Sequence, residues 1–196
     1  MKKIIKKYNG GFTLIEMLVV TTVIALLSAG VIVYGGNSRT SIVLFQEQYR
    51  IVNELNQAKA LTLQFFNRDV FGSSVDCGYG VHFDFTNKEI FIYKNKKSNS
   101  AESCSDISHN FRYNPGDEIK SGTKFILDPT INVVSDGFVD AVFIAPNAQL
   151  FMIDANGSVI PNPPLGTGYY KISLTAPNVG RVTEIKLNTY GQISAF

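Results

Sequence analysis

Gly10-Gly11-Phe12-Thr13-Leu14-Ile15-Glu16-Met17-Leu18-Val19-Val20-Thr21-Thr22-Val23-Ile24-Ala25-Leu26-Leu27 decides how this chain of 196 residues is read. From Phe12 to Tyr34 only Glu16 is charged. As a helix at 1.5 Å per residue, that run would reach about 34 Å, enough to cross a hydrocarbon core of about 30 Å. Lys2, Lys3, Lys6 and Lys7 precede it and, by the positive-inside rule, hold that end in the cytoplasm. A secretory signal peptide carries its small-residue cleavage site after the apolar run. Here the small pair Gly10-Gly11 stands before it.

The same four lysines distort the net charge. The whole chain has 18 basic and 16 acidic residues. Residues 1–11 contain no acid, so removing them leaves 14 bases against 16 acids, a net −2. A weakly acidic remainder has no global electrostatic reason to seek nucleic acid or an anionic membrane surface. With 45% hydrophobic residues, the chain is long enough for one globular head with its own core.

Beyond the apolar run, Gly35-Gly36-Asn37-Ser38 reads either as a helix end or as a flexible joint, because glycine costs about 1 kcal/mol in a helix interior. Helical periodicity then resumes. Ile42, Phe45, Tyr49, Val52, Leu55, Ala58, Thr62 and Phe65 recur at three- and four-residue steps, with charged and amide residues mostly between them. This predicts one amphipathic helix whose apolar stripe must be buried on a sheet.

After Asn67 the pattern changes to short β-prone runs separated by turn residues. Strands are expected near 80–85, 89–93, 123–127, 139–144, 150–153, 169–176, 182–188 and 192–195. Asn156-Gly157 and Tyr190-Gly191 are among the explicit turns. The polar stretch 94–110 reads as a mobile loop. Cys77 and Cys104 fall beyond the apolar segment, in a compartment where a disulfide can persist. Their pairing would close a loop of about 27 residues and contribute roughly 3 kcal/mol. Two free or separately buried thiols are the alternative. Two cysteines this far apart do not make a zinc site.

The block Gly11-Phe12-Thr13-Leu14-Ile15-Glu16 resembles the processing site of type IV pilins and type II secretion pseudopilins almost letter for letter. That resemblance implies a prepilin leader over 1–11, cleavage after Gly11 by a membrane-embedded prepilin peptidase, and N-methylation of the new terminus at Phe12. A carboxylate at the centre of a membrane helix costs about 2.5 to 3.5 kcal/mol or more, and less near the interface, so such a residue normally has a partner. The resemblance implies that Glu16 meets the Phe12 ammonium of a neighbouring subunit and sets the register of assembly. It also implies other pilin or pseudopilin subunits, membrane lipid, and an inner-membrane assembly platform with its ATPase as partners, and no cofactor.

The fold implied is α+β and pilin-like. A membrane and assembly helix over 12–36 continues into an amphipathic helix over 37–66, packed on an antiparallel β-sheet head over 67–196. Leu55-Asn56-Gln57-Ala58-Lys59-Ala60-Leu61, Cys77-Gly78-Tyr79-Gly80-Val81-His82-Phe83-Asp84 and Ile185-Lys186-Leu187-Asn188-Thr189-Tyr190-Gly191-Gln192-Ile193 are similar to the helix, first hairpin and closing strands of the GspH/FimT group of minor pseudopilins. The head would then be extracytoplasmic, first on a single-pass membrane anchor and later in a filament.

The residues bear on two other functions. Some members of that group take part in DNA uptake, and Lys94, Lys96 and Lys97 form a basic cluster beside Tyr93 that could meet phosphate and stack a base. The resemblance ties DNA binding to a basic C-terminal tail, whereas 192–196 contain no Arg or Lys. A solvated loop therefore reads better than a nucleic-acid site. An enzyme is the other reading, but His82 and His109 lack a triad-like neighbourhood in sequence. Asp154-Ala155-Asn156-Gly157 has only a fragment of a calcium loop, which a hairpin turn explains. No metal site is expected.

Overall fold

The computed structural model describes residues 11–68, 76–96, 104, 111–161, 163–164, 167–177 and 180–196, with side chains described outside 31–38 and 65–68. The chain divides into two compact units, Met1–Arg39 and Thr40–Phe196. Helix α1 spans Leu14–Arg68, and the backbone of 35–38 is helical within it.

Among the described residues ten strands follow: β1 (Asp76–Asp84), β2 (Glu89–Lys96), β3 (Phe125–Ile126), β4 (Asn132–Ser135), β5 (Phe138–Ile144), β6 (Gln149–Asp154), β7 (Val159–Ile160), β8 (Tyr170–Ala176), β9 (Arg181–Leu187) and β10 (Ile193–Ala195). All pairings between them are antiparallel. The fold is thus α+β, a long N-terminal helix followed by a β head. The expected single sheet is instead two: a six-stranded sheet in the order β3-β2-β1-β5-β6-β7 and a four-stranded one in the order β10-β9-β8-β4.

The chain changes sheets between β4 and β5. Gly137 there has φ +89°, a conformation that residues with a Cβ rarely adopt. Asp136 Oδ2 accepts the Lys171 N–H at 2.8 Å, and the Ser135 hydroxyl donates to Phe138 O. These bonds hold the outgoing β4 on β8 while the next residues turn toward β1.

The main core joins the second unit's part of α1 to both sheets. Leu44, Ile51, Leu55 and Ala58 pack with Val81, Phe83, Ile90, Ile92, Ala141 and Phe143 of the larger sheet, and with Ile172, Leu174, Ile185 and Leu187 of the smaller. A second cluster, with Cys77, Tyr93, Phe111, Val142, Ile144 and Ile153, covers residues that alternate with the first set along β2 and β5. Both faces of the central strands are therefore buried. This is why Ile90-Phe91-Ile92-Tyr93 and Ala141-Val142-Phe143-Ile144 run apolar without alternation.

Glycines permit the tight contacts at the centre. A Cβ on Gly78 would lie 2.0 Å from Phe143 O, and one on Gly80 would lie 2.6 Å from the Tyr93 ring. Tyr93 can lie across β1 for that reason and donates its hydroxyl to Phe111 O at 2.7 Å. Thr62 ties helix to sheet: its Oγ1 accepts the Tyr79 N–H at 3.1 Å and lies 3.0 Å from Ala58 O and 3.2 Å from Phe143 O.

The buried face of the helix differs from the expected stripe over its first turns. Ile42, Phe45 and Tyr49 are 57%, 51% and 74% exposed, whereas Leu44 and Ile51 are fully buried. The two registers merge at Leu55, Ala58 and Thr62, and the Phe65 side chain lies outside the described residues. A buried side-chain amide lies on the inward face. Gln48 is buried, and its Nε2 donates to both Glu184 O and Phe196 O at 3.2 Å. Both carbonyls also accept a backbone N–H, Phe196 O from Glu184 and Glu184 O from Phe196, so Gln48 joins the helix to a strand pair that is already bonded.

Candidate processing and assembly site

Gly11, Phe12 and Thr13 precede the helix and are exposed. Among the described residues, nothing lies within 4 Å of where a Cβ on Gly11 would be, so on the side of Phe12 the peptide bond is open to approach. Thr13 caps α1: its Oγ1 accepts the Glu16 N–H at 3.3 Å, and its carbonyl accepts the Met17 N–H at 3.2 Å. Glu16 then occupies the third helical position of a Thr-x-x-Glu pattern, where a carboxylate also complements the positive end of the helix dipole. The capping role of Thr13 was missed in the sequence, although the Thr-x-x-Glu spacing is the signal for it. Glu16 is exposed.

Along the next turns the helix is apolar on every side. Leu14, Ile15, Met17, Leu18, Val19, Val20, Val23, Ile24, Leu26 and Leu27 are all exposed, a pattern that water does not favour and lipid or a neighbouring protein would. The interspersed hydroxyls are turned inward onto the backbone. Thr21 Oγ1 donates to Met17 O or Leu18 O at 3.0 Å, Thr22 Oγ1 to Leu18 O at 2.7 Å, and Ser28 Oγ to Ile24 O at 2.7 Å. Among the described residues, no helix is long and apolar enough to cross a membrane. Described side chains of the apolar run stop at Gly30.

The second unit carries its own exposed apolar surface. Ile42, Phe45 and Tyr49 line an open depression beside Glu47 and Arg50. Arg50 Nη1 lies 3.0 Å from Glu47 Oε1, and its guanidinium stands 4.2 Å above the Phe125 ring. One turn on, burial pushes the Glu54 carboxyl above its ordinary value, with Arg50 opposing that shift. Among the described residues, the buried Glu54 Oε2 has no hydrogen-bond partner.

The basic cluster is placed differently from the loop reading. Strand β2 runs to Lys96, so Lys94 and Lys96 belong to the sheet, while Lys97 and His109 lie outside the described residues. Lys94 pairs with Asp76 across β1, and Lys96 Nζ lies 3.2 Å from Glu118 Oε2. Burial works against the Lys94 ammonium, but the Asp76 carboxylate outweighs it and holds the group above its ordinary value. Tyr93, read as a stacking surface, is fully buried and unavailable to a base. Burial, together with the Asp140 and Asp117 carboxylates, pushes its hydroxyl well above the usual range.

Cys77 and Cys104 are joined in a disulfide that brings residue 104 against the second core cluster. His82 does have a carboxylate neighbour, which its sequence surroundings did not reveal. Its Nδ1 lies 2.7 Å from Oδ1 of the fully buried Asp140, whose Oδ2 accepts the Tyr113 N–H at 3.4 Å. The partner comes from β5, far along the chain, and is brought alongside by the β1–β5 register that pairs His82 with Asp140. Asp154 proves to organise a turn, accepting the Asn156 and Ser158 N–H groups at 2.9 and 2.8 Å. Among the described residues, no group of three or more His, Cys, Asp or Glu is placed to hold a metal ion.

No curated protein and no solved structure matches the chain. Residues 6–32 match the family described as the prokaryotic N-terminal methylation motif, a span that covers the glycine pair, the Thr13 cap and the apolar helix as far as Ile32. The chain carries the prepilin N-terminal signature of type IV pilins and pseudopilins.

Proposed function

We propose that this chain is a minor pilin or pseudopilin of the GspH/FimT type, a structural subunit of a type II secretion pseudopilus or type IV pilus. A prepilin peptidase cuts after Gly11 and methylates Phe12. The observation that carries this reading is a methylation-motif N-terminus leading directly into a helix whose apolar side chains are exposed all round. The backbone-bonded hydroxyls of Thr21, Thr22 and Ser28 support passage through lipid, since none of the three depends on water for a partner. In sequence the apolar run extends through Val31-Ile32-Val33-Tyr34, which supports a single span with the lysines on the cytoplasmic side.

In the assembled filament, Glu16 pairs with the α-ammonium created at Phe12 of the next subunit. That amine has a reference pKa near 8 and carries charge at neutral pH. The second exposed patch, Ile42, Phe45 and Tyr49, gives the head an apolar surface for neighbouring subunits. DNA binding has no comparable support, because Lys94 and Lys96 face carboxylates and Tyr93 is buried.

Intact-mass analysis of the protein from a host with the peptidase tests the proposal. The expected species begins at N-methylated Phe12. An uncleaved Met1, or a cut after the apolar run, overturns it.

A further inference from the structure

The turn joining β6 to β7 holds Asn156-Gly157-Ser158, and none of the chain's other asparagines is followed two positions later by Ser or Thr. This Asn-x-Ser spacing is the acceptor pattern for N-glycosylation in secreted proteins. We propose that Asn156 is an N-glycosylation site, an inference that rests on the extracytoplasmic location of the head argued above.

Geometry supports access. Asn156 and Ser158 are both exposed. The turn is held by backbone donors: Gly157 N donates to Asp154 O at 3.0 Å, Asp154 N to Ser158 O at 3.0 Å, and the Asn156 and Ser158 N–H groups to Asp154 Oδ1. Asp154 thus does the structural work, leaving the Asn156 carboxamide and the Ser158 hydroxyl without a contact among the described residues. Gly157, at φ +86°, turns the chain between them. On one side of the hairpin, β7 is a two-residue edge strand paired with β6 through Met152 with Ile160 and Ile153 with Val159. Val159 and Ile160 pack against the two core clusters and the Tyr170 hydroxyl donates to Ile160 O at 2.8 Å, so β7 stays seated while Asn156 and Ser158 stand at the exposed tip of the turn.

The donor class is a lipid-diphosphate-linked oligosaccharide. Asn156 Nδ2 forms a bond to the anomeric carbon, the bond from that carbon to the diphosphate oxygen breaks, and the lipid diphosphate leaves with the electron pair. The amide proton passes to a base of the transferase, and nothing is oxidised or reduced. A bulky polar glycan at this turn would shield the open side of β7, an edge otherwise free to pair with another strand.

The test is peptide mass spectrometry of the full-length protein isolated from membranes of its native host, read at two places. The expected result is a glycan mass with sugar fragment ions on the peptide containing Asn156. That mass should be lost in Asn156→Gln and Ser158→Ala and kept in Ser158→Thr. A bare Asn156 peptide, or one carrying only the one-dalton shift of deamidation, overturns the inference. The N-terminal peptide separates the two proposals: methylated Phe12 with bare Asn156 removes glycosylation alone, and a glycan on an uncleaved chain removes the pilin reading alone.

Discussion

The part of α1 before Arg39 and the part after it solve opposite problems with the same backbone. In the first, composition is nearly uniform, every described apolar side chain is exposed, and hydroxyls bond to their own helix. In the second, polar and apolar residues alternate, and the buried face makes bonds that reach other elements, as at Gln48 and Thr62. Apolar content alone marks the first part for a non-aqueous environment. It does not determine which way the second part turns.

The largest effect separating the two parts is all-or-none. Gly11→Val should abolish the mature form, seen as precursor mass only, while leaving the head's melting temperature unchanged, because no described residue packs on Gly11. The converse is Ile51→Ala, which should cost about 2 to 5 kcal/mol of head stability in denaturant titration and leave cleavage intact. As its control, Phe45→Ala on the outward face should stay within about 0.5 kcal/mol and show its effect in filament incorporation instead. Equal losses from Ile51 and Phe45 would mean that the helix presents the other face.

Smaller effects sharpen the same contrast. Thr62→Val removes the acceptor for Tyr79 N–H and should cost about 1 to 3 kcal/mol, measured by the same titration. Glu54→Gln should act in the opposite direction. Its carboxyl is raised above 4.5 in the folded head, so the stability it contributes is present at low pH and lost as pH rises through the folded value. The variant should melt higher than the parent at pH 7, and the two curves should converge below pH 4.5.

The sequence was legible where a local rule acts alone. The methylation motif, the helix, and eight of the strands follow from short-range pattern, and the continuous apolar runs in β2 and β5 already carried the mark of strands buried on both faces. Three kinds of feature were not legible. Asn132–Ser135 is exposed at every second residue and lies at an edge, and Val159–Ile160 is too short to show alternation. Ile42, Phe45 and Tyr49 looked like core because periodicity sees side chains but not the distant strand that Gln48 reaches. The partners of Lys94, Lys96 and His82 come from other strands or loops, and only the folded register brings them together.

The Gln48 clasp also has a temporal meaning. Its two acceptors lie 136 and 148 residues downstream, so the clasp cannot close until the final strands have been synthesised. Meanwhile the inner face of α1, with Leu44, Ile51 and Leu55, has no sheet to cover it. Contacts of such long sequence separation form late and slowly, and an uncovered apolar stripe is an aggregation hazard during that interval. A nascent chain already anchored by its first helix would wait out the delay at a membrane surface, where encounters with other unfinished chains are fewer than in free solution.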